Sequence, residues 1–254
     1  MRLILKLEDE KTQAIENTYH KLQGFVYKLI RNDFSSIHDK KGYKFFCFSN
    51  IFPSKRESKI RNFIISSPSV EIINSIKDSL EIGKVVNIGE MQFRIKDFST
   101  FNLRIPKRNL RIYSSTPIII RIPEAKYEHY NIPQEERKAR YVYWRPKYSF
   151  EAFVKQLTEN LIKKFNDFYG TEISRYDLFE QFVFKKSVAN EIIINGKAYP
   201  VVGSIWEFLW SNMDAMQRKI IEFGIDTGLG ERNSMGFGFV NIAGYASVSS
   251  KSYL

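Results

Sequence analysis

Hydrophobic spacing in the first hundred residues alternates between strand-like and helix-like runs. RLILKLE alternates apolar and polar residues, which predicts a half-buried strand. Apolar residues at helical spacing predict one helix over residues 22–30, and SVEIINSIKDSLEIG predicts another that stops at Gly83. YKFFCFS, NFIISS and MQFRIKDF are β-rich runs, so the predicted order is βαββαβ.

The second half repeats this order. LRIYSSTPIIIRI predicts strand material, and SFEAFVKQLTENLIKKFNDFYG predicts a long amphipathic helix. FVFKKSV and EIIINGKAYPVV predict two strands joined at Asn195 and Gly196, a pair typical of two-residue hairpin turns. MDAMQRKIIEFG predicts a short helix ending at Gly224, before a last strand in FGFVNIAGYASV. We therefore predict an α+β chain of two tandem ferredoxin-like (RRM-like) βαββαβ domains, 1–103 and 104–254.

Composition adds a basic excess to this picture. The 254 residues are 43% hydrophobic and carry 39 basic against 28 acidic residues, a net charge of +11. That excess favours a polyanionic partner, either nucleic acid or an anionic membrane surface, although an ordinary basic protein stays possible. No run approaches the roughly 20 apolar residues that span a bilayer. With the strand-like start and Cys47 as the single cysteine, this predicts a cytoplasmic protein without disulfides or a cysteine-based zinc site.

The segment GIDTGLGERNSMGFGFV contains two G-x-G pairs around a polar stretch, formed by Gly228, Gly230, Gly236 and Gly238. A dinucleotide fingerprint is excluded, because Asn233 stands where its third glycine belongs and a strand follows instead of a helix. A P-loop is excluded because no Gly-Lys-Ser/Thr is present. Two interpretations stay open: a structural turn, or a backbone cradle for phosphates to which Arg232, Asn233 and Ser234 add donors.

GLGERNSMGFGFV resembles the carboxyl-terminal glycine-rich loop of the CRISPR-associated RAMP proteins, and in particular of their repeat-RNA processing endoribonuclease. The shared features are Gly-apolar-Gly, five residues, Gly-apolar-Gly, a strand, and the late position after a helix. The resemblance implies a loop that lies against the RNA backbone. It also implies CRISPR repeat RNA, single-stranded or weakly structured, as the partner, a possible CRISPR effector complex, and a monomer or homodimer.

Basic residues outside this segment are further candidates for RNA contacts. ERKARYVYWRPKY interleaves cations with Tyr141, Tyr143, Trp144 and Tyr148, and cations track phosphates while aromatic rings stack unpaired bases. The alternative is a solvated loop whose aromatic residues cover a core. The resemblance implies that the FKKS lysines lie on the hairpin that faces RNA. The predicted RNA-binding side chains are Lys107, Arg108, Arg140, Arg145, Lys185 and Lys186.

Candidate catalytic residues lie near the first predicted helix. None of the three histidines, His20, His38 and His129, pairs with another at metal-ligand spacing, and no paired-Asp motif is present, so we expect no metal or other cofactor. Cleaving RNA without a metal needs an acid, a base and a cation on the transition state, roles that suit histidine and lysine.

SSIHDKKGYKFFCFS offers both residue types in His38 and Lys44. The resemblance implies the same roles, because the family has a helix tyrosine, here Tyr27, then a histidine and a lysine that opens the next strand. The alternatives are a solvated His38 with His20 as base, a non-catalytic RAMP subunit that binds repeat RNA or scaffolds an effector complex, and a general RNA-binding module.

Overall fold

Two large antiparallel sheets, each covered by two helices, form the described part of the protein. The computed structural model describes residues 1–11, 19–30, 42–54, 57–194 and 196–243. The first sheet ends with a strand that stops at Phe101, and the second begins with a strand at Arg108. The domain boundary after residue 103 stays a prediction. Within these described ranges, no helix is both long and apolar enough to cross a membrane.

Among its described residues, the first half has six strands and two helices. Its elements are β1 (Arg2–Lys11), α1 (Tyr19–Leu29), β2 (Cys47–Phe48), β3 (Phe52–Pro53), β4 (Ile60–Ser66), α2 (Val70–Asp78), β5 (Val85–Ile88) and β6 (Met91–Phe101). The strands lie in the order β2-β4-β1-β6-β5, and β3 also pairs with β4. Leu3, Leu5 and Leu7 of β1 are fully buried, as the alternating pattern predicts. They pack with α1 and α2 into one core.

The second half has a four-stranded sheet and a separate two-stranded ribbon. Its elements are β7 (Arg108–Ser114), β8 (Arg121–Pro123), β9 (Tyr141–Tyr143), α3 (Phe150–Tyr169), β10 (Gln181–Ile194), β11 (Lys197–Asn212), α4 (Ala215–Thr227) and β12 (Val240–Ile242). The sheet order is β10-β11-β7-β12, and β8 pairs with β9. Read as the second, third, first and fourth strands of a βαββαβ unit, this is the ferredoxin-like order, and the predicted fold class is confirmed.

Two predicted helix ends are wrong, and one strand was not predicted. α4 continues through Gly224 to Thr227, because this glycine allows close helix packing and does not stop the helix: a Cβ there would lie 3.0 Å from Leu229 and 3.1 Å from Leu161. α2 ends at Asp78, and Gly83 lies in the turn that follows. β5, which forms a hairpin with β6, is absent from the predicted order.

A buried guanidinium joins the two halves. The Nη1 atom of Arg2 donates to Oδ1 of Asn241 at 2.5 Å, and its Nη2 atom donates to the carbonyl of Val240 at 2.6 Å. Ser66 of the first sheet donates to the carboxylate of Asp226 on α4 at 3.1 Å. Buried polar groups are stable only when such partners exist, so these bonds fix how the halves face each other.

Candidate active site

A cleft of about 440 Å³ lies between the two halves. Residues 42–46 line it from the first half. From the second half it is lined by one face of α3 and by residues 230–234, which belong to the glycine-rich loop (residues 228–238). The cations at its wall are Lys44, Arg121, Lys163, Lys164 and Arg232, against the carboxylates of Glu159 and Glu231. The cleft wall is therefore rich in positive charge.

Lys44 is held at the boundary between the two cores. The ring of Phe45 lies 5.0 Å from that of Phe168 on α3, in the second half. The side chain of Phe46 is instead buried in the core of the first half. Ser67 donates to the carbonyl of Phe45 at 2.8 Å and fixes this backbone, which is left-handed at Phe45 with φ +53°. Two neighbouring anchors in different cores therefore keep Lys44 at the cleft.

Tyr27 reaches the glycine-rich loop from α1. Its phenol lies near the Ser234 side chain, and its ring lies edge-on to Phe46 with centroids 5.7 Å apart. Burial raises the pKa of Tyr27 above its usual value, and the contact with Ser234 opposes that rise. The phenol therefore keeps its proton near neutral pH and can donate a hydrogen bond, but it cannot serve there as a base.

The predicted histidines differ in where they lie. His38 falls outside the described residues, four positions before Gly42, which lines the cleft. His20 lies on α1, about two helical turns from Tyr27. His129 lies in the second half, with its ring 4.6 Å from that of Tyr130.

Three of the four glycine N–H groups in the glycine-rich loop donate within the protein. Gly228 donates to the carbonyl of Gly224 at 2.8 Å, Gly236 to that of Asn233 at 2.9 Å, and Gly238 to that of Pro117 at 2.9 Å. An N–H group that already donates within the protein is not available to a phosphate. In this conformation these three N–H groups therefore stabilise the loop and its neighbours, and a backbone cradle for phosphate stays a prediction.

Close packing explains why these positions are glycines. Gly236 has φ +91°, and a Cβ atom there would lie 2.5 Å from the ring of Phe48 in the first half. At Gly228, a Cβ atom would lie 3.1 Å from Cys47, also in the first half. At Gly238, it would overlap the carbonyl oxygen of Leu229 within the loop. The loop is therefore a tight joint between the halves as well as one wall of the cleft.

Arg232 is the loop cation best placed for an anion. Its backbone is left-handed with φ +58°. Its Nη2 atom donates to the hydroxyls of Tyr141 and Tyr143 at 3.5 Å each, and its Nη1 atom lies 3.8 Å from the sulfur of Met235. Its Nε atom is buried without a hydrogen-bond partner in the described part of the chain. None of these acceptors is a carboxylate, so the guanidinium keeps its capacity to bind a phosphate.

Sequence reasoning missed three cations of the cleft, Arg121, Lys163 and Lys164. Lys164 of α3 is buried and donates to the carbonyls of Gly228 at 2.6 Å and Gly230 at 3.3 Å. Burial lowers the pKa of Lys164 to about 7. Arg121 of β8 forms an ion pair with Glu231 and lies over the ring of Tyr141. The sequence offered one signal for the burial of Lys164: it lies in the apolar stripe of its helix.

The six predicted RNA-binding cations lie outside the cleft lining. Lys107 and Arg108 lie at the start of β7, about 20 Å along the strand from the end that adjoins the glycine-rich loop. Arg140 and Arg145 are exposed around β9. Lys185 forms an ion pair with Glu207 at 3.2 Å. The structure thus distributes these cations over the second half and does not gather them in one patch.

Lys186 is connected to the loop through backbone pairing. It lies opposite Ile205 of β11, just after a bulge in β10. Ser204, which precedes Ile205 in β11, forms a β-bridge with Ile118. The following residue, Ile119, forms a β-bridge with Glu231 of the glycine-rich loop. The β10–β11 hairpin and the glycine-rich loop therefore belong to one hydrogen-bonded framework. Gly196, in the turn of this hairpin, has φ +73°, whereas Asn195 lies outside the described residues.

The aromatic residues interleaved with the cations divide into two pairs. Trp144 and Tyr148 are buried in the core of the second half, so the alternative interpretation holds for them. Tyr141 and Tyr143 are half-buried and contact Arg232. Burial raises the pKa of Tyr143 to about 12, so this phenol stays protonated near neutral pH. Only this second pair lies close enough to the loop to take part in binding.

Comparisons with known proteins agree with this arrangement. The family described as CRISPR associated protein Cas6, C-terminal, matches residues 103–242. The CRISPR-associated endoribonuclease Cas6 2 of Methanocaldococcus jannaschii is 29% identical over 95% of this chain and 99% of its own length. The CRISPR-associated endoribonuclease Cas6 of Haloferax mediterranei is 30% identical over 95% and 93%. A solved structure titled CRISPR associated protein Cas6 superposes with a TM-score of 0.67 at 25% identity, covering 95% of this chain and 98% of the other. The chain belongs to the Cas6 family of CRISPR-associated proteins.

Proposed function

We propose that this chain is a metal-independent endoribonuclease that cuts CRISPR precursor RNA within its repeats. The observation that carries the proposal is the cleft, where Lys44 and the glycine-rich loop residues Arg232 and Ser234 line one cavity. Two related proteins are named CRISPR-associated endoribonucleases and align over nearly the whole chain. The basic wall of the cleft suits a polyanionic substrate.

In the proposed reaction, the 2′-oxygen of one nucleotide attacks the adjacent phosphate in line with the departing 5′-oxygen. His38 acts as general base or general acid: it removes the 2′-hydroxyl proton or protonates the leaving 5′-oxygen. The products are a 2′,3′-cyclic phosphate and a 5′-hydroxyl. One P–O bond forms and one breaks, and a single proton is transferred overall from the 2′-oxygen to the 5′-oxygen.

The charge that develops on the phosphorane needs cations and hydrogen-bond donors. Lys44 and Arg232 supply positive charge from opposite halves of the protein, and the protonated phenol of Tyr27 supplies a neutral donor. Such groups can stabilise the transition state in place of a metal ion, while a histidine transfers the proton. We assign Tyr27, His38 and Lys44 to catalysis.

Cleavage of repeat RNA tests this proposal against a purely binding role. The purified protein is incubated with its cognate repeat RNA in EDTA, and the products are resolved and their ends identified. We expect one cut within the repeat, with a cyclic phosphate on the upstream fragment. Binding without any cut would support instead a non-catalytic subunit of an effector complex. Binding that is indifferent to repeat sequence would support a general RNA-binding module.

A further inference from the structure

Lys164 is an unusual residue for the interior of a protein. It lies on the buried face of α3 with Leu157, Leu161 and Phe165, and only 2% of its surface is exposed. Lysine is almost never fully buried unless its ammonium group has partners. Burying an unpaired charge lowers the free energy of unfolding by roughly several kcal/mol. The neighbouring Lys163 is exposed, so the buried position is specific to one of two adjacent lysines. A role for this ammonium group must therefore be sought in its contacts.

All three hydrogen-bond acceptors of Lys164 belong to the glycine-rich loop. Its Nζ atom donates to the carbonyls of Gly228 at 2.6 Å and Gly230 at 3.3 Å, and to Oδ1 of Asn233 at 3.0 Å. An ammonium group has three donors and no acceptor, so the number of contacts matches the charged form of lysine. None of these three acceptors is a carboxylate. The group therefore acts as a fixed cation around which the first part of the loop folds.

Asn233 connects these hydrogen bonds to the second part of the loop. While its Oδ1 atom accepts from Lys164, its Nδ2 atom donates to the carbonyls of Leu229 at 3.1 Å and Phe237 at 3.0 Å. One lysine and one asparagine thus connect both G-x-G turns. Arg232 and Ser234 flank Asn233, and both line the cleft. Their placement depends on the same set of bonds.

We propose that Lys164 is a positioning residue whose ammonium group holds the glycine-rich loop in the form that presents Arg232 and Ser234 to RNA. The inference rests on the proposed function, since that function makes RNA the ligand of the cleft. Lys164 itself does not reach the substrate in this account. It acts through Asn233 and through the two glycine carbonyls.

The three hydrogen bonds from Lys164 to the loop depend on the charge of its ammonium group. Burial lowers the pKa of Lys164 to about 7, and the negative charge of Glu231 in the loop opposes this decrease. The thiol of Cys47 has its own pKa raised to about 12 by burial, so it is neutral near pH 7. Glu159 and Lys163 on α3 and Lys44 from the first half also line the cleft. Above neutral pH, the uncharged amine has only two donors, and its lone pair repels the third acceptor.

The effect on global stability has the opposite sign. A lysine in the unfolded chain has a pKa near 10.5, and the folded value is lower. Between these two values the unfolded chain binds a proton that the folded chain does not, so the contribution of Lys164 to the free energy of unfolding increases with pH. If RNA affinity falls from pH 6 to pH 8.5 while the free energy of unfolding does not fall, Lys164 acts by positioning the loop. A purely structural role does not produce this combination.

The test measures binding of a repeat RNA with a 2′-deoxy nucleotide before the scissile phosphate, at pH 6 and at pH 8.5. For the wild type we expect affinity to fall with pH, and for Lys164→Met we expect at least about tenfold weaker binding at pH 6, with this pH dependence removed. The matched control Lys163→Met removes an exposed charge from the same cleft. It is expected to keep the wild-type change with pH. A Lys164→Met protein with wild-type pH dependence would overturn the proposal.

Hydrogen exchange provides a measurement that needs no variant and no RNA. The loop amides of Leu229, Glu231 and Gly238 donate within the protein, so their protection factors report whether the loop is closed. In the wild type we expect their protection to fall between pH 6 and 8.5 relative to amides of β11. Constant relative protection would overturn the proposal even if Lys164→Met fails to fold. Neither measurement requires cleavage, so a protein that does not cut RNA would refute the proposed function and leave this test intact.

Discussion

The phenol of Tyr27 and the hydroxyl of Ser234 are neighbours, although they come from opposite halves of the chain. Tyr27 lies on the first helix, and Ser234 lies in the glycine-rich loop near the carboxyl end. The contact joins a proposed catalytic residue to the proposed RNA-binding loop. It also indicates that the site is complete only when the two halves are docked.

Tyr27→Phe tests whether this phenol acts on RNA. The variant keeps the ring against Phe46 and removes only the hydroxyl donor. Because a hydrogen bond to a charged group is worth about 1.5–3 kcal/mol, we expect cleavage to slow by about tenfold to a hundredfold. RNA affinity should stay near the wild-type value. Single-turnover cleavage and a filter-binding assay measure the two quantities.

Ser234→Ala is the matched control, because it removes the serine hydroxyl beside Tyr27 and leaves the phenol in place. If Tyr27 donates to RNA, the tyrosine change should cost more than the serine change. Equal losses in both variants, with no further loss in the double variant, would show that the phenol only holds the loop.

Gly236→Ala should destabilise the fold and not only the binding of RNA. The residue has φ +91°, and a Cβ atom would lie 2.5 Å from the ring of Phe48. The left-handed backbone costs about 1–2 kcal/mol for a residue with a Cβ atom, and the overlap adds about 1–3 kcal/mol. Urea unfolding measures the loss. Gly170→Ala is the control, since Gly170 has φ +65° and open space around its Cβ position. A loss no larger than that of Gly170→Ala would contradict the packed joint.

The sequence predicted most of the fold because local chemistry determines it. Ser149 caps α3 by accepting from the N–H of Ala152, and Gly170 ends the helix in the left-handed region, so both ends of this helix follow from its sequence. The Asn-Gly pair likewise predicted the connection of β10 to β11. Gly224 misled the prediction because its packing against Leu161, a residue distant in sequence, decides its role.

Neighbouring lysines on β10 provide a test of the RNA path. Lys186 lies in the framework that leads to the loop, whereas the charge of Lys185 is paired with Glu207. Each phosphate contact to single-stranded RNA contributes about −0.7 to the slope of log affinity against log salt. We expect Lys186→Gln to flatten the slope by about that amount. Lys185→Gln, as the matched control, should change it less. The same slope in both variants would place the RNA away from Lys186.

The candidate site was less predictable than the fold. Motif and spacing indicated Lys44, Tyr27 and the loop, and in the structure Lys44 and loop residues 230–234 line the cleft, while Tyr27 lies near Ser234 of the loop. Lys164 could not be found in this way, because a lysine in a helix is usually solvated and its burial depends on the loop that folds over it. The glycine N–H groups were assigned to phosphate for a related reason: only the folded structure shows that three of them donate to backbone carbonyls within the protein.

His38→Ala and Lys44→Ala test the assignment of the reacting groups. Positioned acid–base catalysis contributes about 10²–10⁴ in rate, so we expect His38→Ala to slow cleavage by about that factor while RNA affinity stays near wild type. Lys44→Ala should also slow cleavage, because the transition-state charge loses a cation. His129→Ala is the control and should cleave at the wild-type rate. Full-speed cleavage by His38→Ala would place the base elsewhere, with His20 tested next.

The most direct measurement of the central claim replaces one atom of the substrate. A repeat RNA with a single 2′-deoxy nucleotide just before the scissile phosphate is incubated with the wild-type protein in EDTA, beside the all-ribose RNA. We predict that the protein binds both RNAs with similar affinity, cuts the all-ribose RNA once and leaves the deoxy RNA intact, because the nucleophile is missing. Cleavage of the deoxy RNA at the same position would contradict attack by the 2′-hydroxyl and the account built on it.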